Sequence, residues 1–181
     1  MDIAIGPPQI AALLVLLQRG AEEIHSARNT KALLARGARE EGASYYPVVA
    51  AAHLSWIAGL FFLIPADVQP IWPLIGLYLA VQVARYWVIA TLGPYWTHRI
   101  ITIDDAPVVA SGAYRLVRHP NYAITVAETL LLPCAFRAVA LGLIMTAIWV
   151  TVLSYKIRLE DAALAARLRG RDDGGQSPRS R

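Results

Sequence analysis

The distribution of basic residues around five apolar stretches constrains the fold of this chain most strongly. The stretches cover residues 3–17, 47–64, 71–92, 122–136 and 139–155. A helix needs about 20 apolar residues to cross the hydrocarbon core of a bilayer, so the first and fourth are short for a crossing. If all five cross, every one of the 17 Lys and Arg residues except Arg137 falls on the same side. The positive-inside rule makes that side cytoplasmic.

The composition agrees with a membrane protein, since 56% of the 181 residues are hydrophobic and 17% are charged. A soluble helical bundle is the alternative, but the location of nearly all basic residues on one side of the apolar stretches argues against it. Stretch 3–17 has neither the basic flank nor the cleavage site of a signal peptide, so we predict a helix there. The expected fold is all-α, a polytopic protein with about five transmembrane helices in the cell inner membrane. Its N-terminus would be outside and its C-terminus cytoplasmic. Residues 1–169 would form a single domain and 170–181 a disordered tail.

The charge and the cysteine content exclude several classes of function. The net charge of +4 indicates topology and contact with anionic lipid headgroups rather than nucleic-acid binding. A single cysteine, Cys134, excludes an internal disulfide framework, and no zinc-type cluster is present, so no metal is expected.

Three ionisable residues lie within the apolar stretches, where burying a charge is costly. They are His53, Arg85 and Glu128. For His53 a packing role through a hydrogen bond is favoured. Glu128 has two interpretations: an ion pair with Arg85, or a carboxylate lining a polar cavity that opens from the cytoplasmic face.

Two polar segments flank the last two stretches. The long connection 93–119 ends at His119 and Pro120, which should cap and open the fourth helix. The N-terminus of a helix is suited to an anionic ligand group. After the last stretch, Lys156 and Glu160 lie four residues apart on one helical face, which is also typical of a solvated amphipathic helix.

The run Gly-Ala-Tyr-Arg-Leu-Val-Arg-His-Pro-Asn-Tyr at 112–122, with Ile-Arg-Leu-Glu-Asp at 157–161, resembles the isoprenylcysteine carboxyl methyltransferase family. Segments 28–47 and 92–100 are also similar to that family, and the likeness spans roughly residues 19–168. It is greatest for a bacterial branch that O-methylates alkylresorcinols or alkylpyrones. The resemblance implies an S-adenosylmethionine-dependent membrane methyltransferase with a lipophilic small-molecule substrate.

The resemblance also implies a cytoplasmic cofactor site formed by the last two helices, the preceding loop and the C-terminal helix. Its expected cofactor contacts are Tyr114, Arg118, His119, Pro120, Asn121, Tyr122, Glu160 and Asp161. Two positions depart from the family pattern, because Lys156 stands where arginine is usual and Asp161 where glutamate is usual. Lysine cannot form a bidentate fork with a carboxylate, which weakens the case for a prenylcysteine substrate.

The chemistry of methyl transfer suggests roles for several of these residues. The aromatic faces of Tyr95, Trp96 or Tyr122 could hold the sulfonium of the donor. A phenol acceptor must lose its proton, and Glu128 or His119 could be the base. Glu128 and Lys156 are the predicted catalytic residues.

Three alternatives remain open at this point. The first is a prenylcysteine carboxyl or phospholipid methyltransferase, which differs only in its acceptor. The second is a membrane NADPH-dependent reductase, because sterol reductases place their cofactor in a similar helical arrangement. The third is a non-catalytic membrane scaffold.

Overall fold

The computed structural model describes residues 4–103, 111–117 and 119–174. This part of the chain forms five α-helices and two short strands: α1 (Pro7–Ala35), β1 (Arg39–Glu41), α2 (Tyr46–Phe62), α3 (Trp72–Leu92), β2 (Ile100–Thr102), α4 (Pro120–Ala135) and α5 (Val139–Gly174). Short 3-10 helices occupy Ala43–Tyr45, Gly93–Tyr95 and Gly112–Arg115. The fold is helical as predicted, apart from the strand pair, which no sequence pattern indicated.

Three helical segments in the described part of the chain are long and apolar enough to cross a membrane. They are Ala43–Phe62, Trp72–Tyr95 and Val139–Ala162. Large apolar side chains point outward from these segments, including Leu54, Leu79, Val83, Leu143 and Ile144. So many exposed apolar side chains are unusual in a soluble monomer and suit a lipid environment. The count of five crossings stays a prediction, since α4 has only 16 residues.

The helix connections meet at two opposite ends of the bundle. At one end the Gln9 amide donates to the Ile64 carbonyl at 2.8 Å, and the Ile71 N–H donates to the Ala135 carbonyl at 2.8 Å. This end therefore contains the start of α1, the α2–α3 connection and the α4–α5 turn with Arg137. The segments rich in basic residues begin at the other end.

Helix α1 is much longer than the apolar stretch that predicted it. Its buried positions recur every three or four residues from Pro8 to Leu33, so one face packs inward along the whole helix. Ala12 and Val15 join the main apolar core. The next two turns of the same face carry Arg19 and Glu22, which are also buried.

Helix α5 is one continuous helix of 36 residues, about 54 Å long. It runs past the last apolar stretch, so the segment containing Lys156 and Glu160 is rigidly joined to the membrane part. The helix ends at Gly174, residues 175–181 lie outside the described residues, and the disordered tail at 170–181 stays a prediction.

The two strands form a short antiparallel ribbon at the end rich in basic residues. Arg39 pairs with Thr102 and Glu41 with Ile100. The ribbon ties the α1–α2 connection to the α3–α4 connection, and it holds the latter close to α1 and α5.

Candidate functional site

The N-terminus of α4 is the centre of the predicted site. Pro120 is the first helical residue, and His119 occupies the N-cap position as predicted. The His119 side chain makes no capping hydrogen bond. Its ring stacks instead on Tyr122, with centroids 5.3 Å apart and planes 11° from parallel. The N–H groups of Tyr122 and Ala123 donate to the His119 carbonyl at 3.1 and 3.3 Å.

Helix α5 brings its polar turn against this helix start. The Tyr122 hydroxyl donates a hydrogen bond to the Glu160 carboxylate. The Lys156 ammonium lies 3.8 Å from Glu160 Oε1 and 5.3 Å from the centroid of the Tyr122 ring. The Lys156 side chain is 8% exposed and that of Glu160 is 28% exposed, so this pair is not on a freely solvated helix face.

Tyr114 reaches the same region from the connection before α4. Burial, with a further contribution from the Glu160 carboxylate, raises the pKa of Tyr114 to about 12. An effect of Glu160 on Tyr114 requires that the two side chains be close. The structure thus brings Tyr114, Tyr122, Lys156 and Glu160 together.

Asn121 is the most informative of the remaining predicted residues. Its side-chain oxygen is buried and has no hydrogen-bond partner among the described residues. A buried acceptor without a partner is destabilising, and such groups are rare in native proteins. Asp161 is exposed on α5, and Arg118 lies outside the described residues.

Glu128 lies deeper in the bundle, six residues after Tyr122 and so about 9 Å further along α4. Its Oε2 accepts from Arg19 Nη2 at 2.8 Å and Arg85 Nη1 at 3.4 Å. Its Oε1 accepts from Gln82 Nε2 at 2.7 Å. The ion pair with Arg85 is thus present, and both carboxylate oxygens are engaged. This geometry favours the structural interpretation of Glu128, and its catalytic role stays a prediction.

Glu22 completes a four-charge network with Arg19, Arg85 and Glu128. It accepts from Arg19 Nη1 at 2.6 Å and from Arg85 Nε and Nη2 at 2.8 and 2.6 Å. Two positive and two negative charges balance each other in a buried position. The network joins α1 to α3 and α4. The apolar stretch that predicted α1 ends at residue 17, although the spacing of Arg19 and Glu22 after Ala12 and Val15 continues the buried face of the helix.

A second histidine near the site was not singled out from the sequence. His98 Nδ1 lies 2.8 Å from Glu23 Oε2. This hydrogen bond is the main cause that lowers the pKa of Glu23. The adjacent Trp96 is 1% exposed, and its ring lies 5.6 Å from His25 and 4.8 Å from His98. Of the other proposed sulfonium contacts, Tyr95 faces the Arg36 guanidinium at 5.8 Å.

The segment that contains these residues lies within a match to a known protein family. The model of the isoprenylcysteine carboxyl methyltransferase (ICMT) family matches residues 74–166, which include α4 and the polar turn of α5. An uncharacterized protein of Bacillus subtilis (strain 168), YpbQ, is 32% identical over 155 residues, covering 83% of this chain and 92% of that protein. An uncharacterized protein of Haemophilus influenzae is 26% identical over 147 residues, covering 77% of this chain and 84% of that protein. No solved structure matches. The chain belongs to the isoprenylcysteine carboxyl methyltransferase family, a family of membrane methyltransferases.

Proposed function

We propose that this protein is an S-adenosylmethionine-dependent O-methyltransferase that acts on a lipophilic phenol or enol, such as an alkylresorcinol or an alkylpyrone. Family membership supports methyl transfer in a membrane. The observation that carries the cofactor proposal is the buried Asn121 oxygen at the start of α4, which has no hydrogen-bond partner among the residues that the structure describes. The protein would cross the inner membrane five times, with its C-terminus in the cytoplasm.

The residues around the start of α4 fit the chemical groups of S-adenosylmethionine. The Asn121 oxygen can accept a hydrogen bond from an amino group, and the positive end of the α4 dipole suits a carboxylate. The Glu160 carboxylate can accept from hydroxyl groups in addition to Tyr122. When bound, the cofactor supplies an electrophilic methyl group on a sulfonium, and the protein aligns the acceptor with it.

The position of Lys156 bears on the acceptor. Its ammonium donates to the His98 carbonyl at 3.1 Å and lies near Glu160. It is therefore held by groups of the protein, which does not favour a role in binding the free carboxylate of a prenylcysteine. We propose that Lys156 positions the connection containing His98. The exposed apolar faces of the helices provide a route for an alkyl-tailed acceptor from the lipid.

The cofactor proposal is tested by calorimetry in detergent with S-adenosylhomocysteine and with NADPH. We expect the first to bind and the second not to bind. Asn121→Ala should weaken S-adenosylhomocysteine binding about fivefold, the equivalent of one lost hydrogen bond of about 1 kcal/mol. Gln69→Ala, a change of an exposed amide in the α2–α3 connection, is the matched control. Binding of NADPH alone would contradict the methyltransferase proposal and favour a reductase.

A further inference from the structure

His98 is held between two helices beside the candidate cofactor site. Its backbone N–H donates to Ser26 Oγ on α1 at 2.8 Å. Its carbonyl accepts from Lys156 Nζ on α5 at 3.1 Å. Lys156 in turn contacts the Tyr122 ring, so His98 is separated from the α4 start by one side chain. The backbone of His98 is thereby fixed relative to the site.

The Glu23 carboxylate orients the His98 ring. An ionised carboxylate only accepts hydrogen bonds, so at 2.8 Å His98 Nδ1 carries the proton and donates to Glu23 Oε2. In the neutral ring the lone pair is then on Nε2. This arrangement defines which ring nitrogen is free to accept a proton.

Two unpaired polar atoms lie in adjacent rings at this position. His98 Nε2 and Trp96 Nε1 are both buried, and neither has a hydrogen-bond partner in the part of the chain that the structure describes. The ring centroids are 4.8 Å apart. One atom is an acceptor and the other a donor. A hydroxyl group is complementary to such a pair, because it donates one hydrogen bond and accepts another.

We propose that His98, oriented by Glu23, is the base that takes the proton from the acceptor hydroxyl, and that Trp96 Nε1 donates to the same oxygen. The inference rests on the proposed O-methyltransferase function. The acceptor O–H bond breaks and its proton moves to Nε2, while the oxygen forms a bond to the methyl carbon of S-adenosylmethionine. The carbon–sulfur bond breaks, and its electron pair stays on the sulfur of S-adenosylhomocysteine. With Nε2 protonated, the ring can pass its Nδ1 proton to the Glu23 carboxylate, whose side chain is 41% exposed and can release the proton to solvent.

A base matters most for an acceptor that is protonated at the working pH. A resorcinol hydroxyl resembles the tyrosine phenol, whose pKa is about 10, so it is almost fully protonated at neutral pH. The 4-hydroxy group of a 2-pyrone is an acidic enol that is ionised at neutral pH. Methylation of these two acceptors, with identical alkyl tails, therefore separates proton removal from every other step.

The experiment measures initial methylation rates of the two acceptors by wild-type protein and by His98→Gln. We expect His98→Gln to lower the resorcinol rate by about 10²–10⁴-fold and the pyrone rate by less than about tenfold. Glu23→Gln keeps a partner for Nδ1 and should lower the resorcinol-to-pyrone ratio by a smaller factor in the same direction. His25→Gln, which changes an exposed histidine stacked on Trp96, should leave the ratio unchanged.

The result that overturns the base assignment is an unchanged resorcinol rate, or an equal loss on both acceptors, in a His98→Gln protein that binds S-adenosylhomocysteine normally. If His98→Gln does not fold, Glu23→Gln is measured instead. An unchanged ratio of the resorcinol rate to the pyrone rate in that variant would then overturn the base assignment. Wild-type protein that binds S-adenosylhomocysteine but methylates neither acceptor would instead refute the proposed acceptor class, and the base assignment with it.

Discussion

Replacing Glu128 by glutamine tests whether the four-charge network stabilises the fold or serves catalysis. The substitution preserves the size of the side chain and removes one negative charge. Arg19 and Arg85 are then left with Glu22 as their only acidic partner in the network. The Glu128 side chain is 1% exposed and that of Arg85 is 2% exposed, so water cannot compensate the extra positive charge.

Breaking a buried ion pair by removing one partner costs about 3–5 kcal/mol. For a chain of this size that corresponds to a fall in melting temperature of roughly 6–20 °C. Melting of the purified protein in detergent measures this change. Asp67→Asn, which removes an exposed carboxylate, is the control and should change stability by no more than about 0.5 kcal/mol.

A double variant sharpens the same test. Arg19→Gln with Glu128→Gln leaves Arg85 paired with Glu22, so the buried charges balance again. We expect the double variant to melt above the Glu128→Gln single variant, with methylation per folded molecule preserved in both. An unchanged melting temperature combined with a 10²–10⁴-fold loss of turnover in Glu128→Gln would refute this reasoning and restore Glu128 as a base.

Three further predictions concern the cofactor site and the topology. His119→Ala should weaken S-adenosylhomocysteine binding by about 1 kcal/mol in calorimetry if the ring contacts the ligand, and unchanged affinity in a folded variant would remove His119 from the site. Glu160→Gln should weaken the same binding by more than the 0–1 kcal/mol typical of an exposed ion pair, and a null result would favour a structural role. A reporter fused after Arg181 should show cytoplasmic behaviour, and a periplasmic or extracellular signal would contradict the proposed orientation.

The helical fold and the convergence at the start of α4 could be predicted from the sequence because each has a local signal. Apolar stretches mark the membrane helices, and Pro120 marks the start of a helix. Tyr122, Lys156 and Glu160 came from motif similarity and do meet in the structure.

The contacts of Glu128 and His98 could not be predicted because they join residues far apart in the chain. The Arg19–Glu128 pair spans 109 positions and the His98–Glu23 pair spans 75. Hydropathy also marks the end of α1 too early, since polar Arg19 is buried on the same helical face as the apolar residues before it. Tertiary pairing, which no local pattern encodes, determines both arrangements.

The shortness of α4 has a consequence for the lipids that surround the protein. Its 16 residues span about 24 Å, whereas the hydrocarbon core of a bilayer is about 30 Å thick. If α4 crosses the membrane as proposed, this hydrophobic mismatch draws the headgroup layer inward next to it. The start of α4 would then lie below the surrounding membrane surface, within reach of an acceptor whose tail stays among the acyl chains.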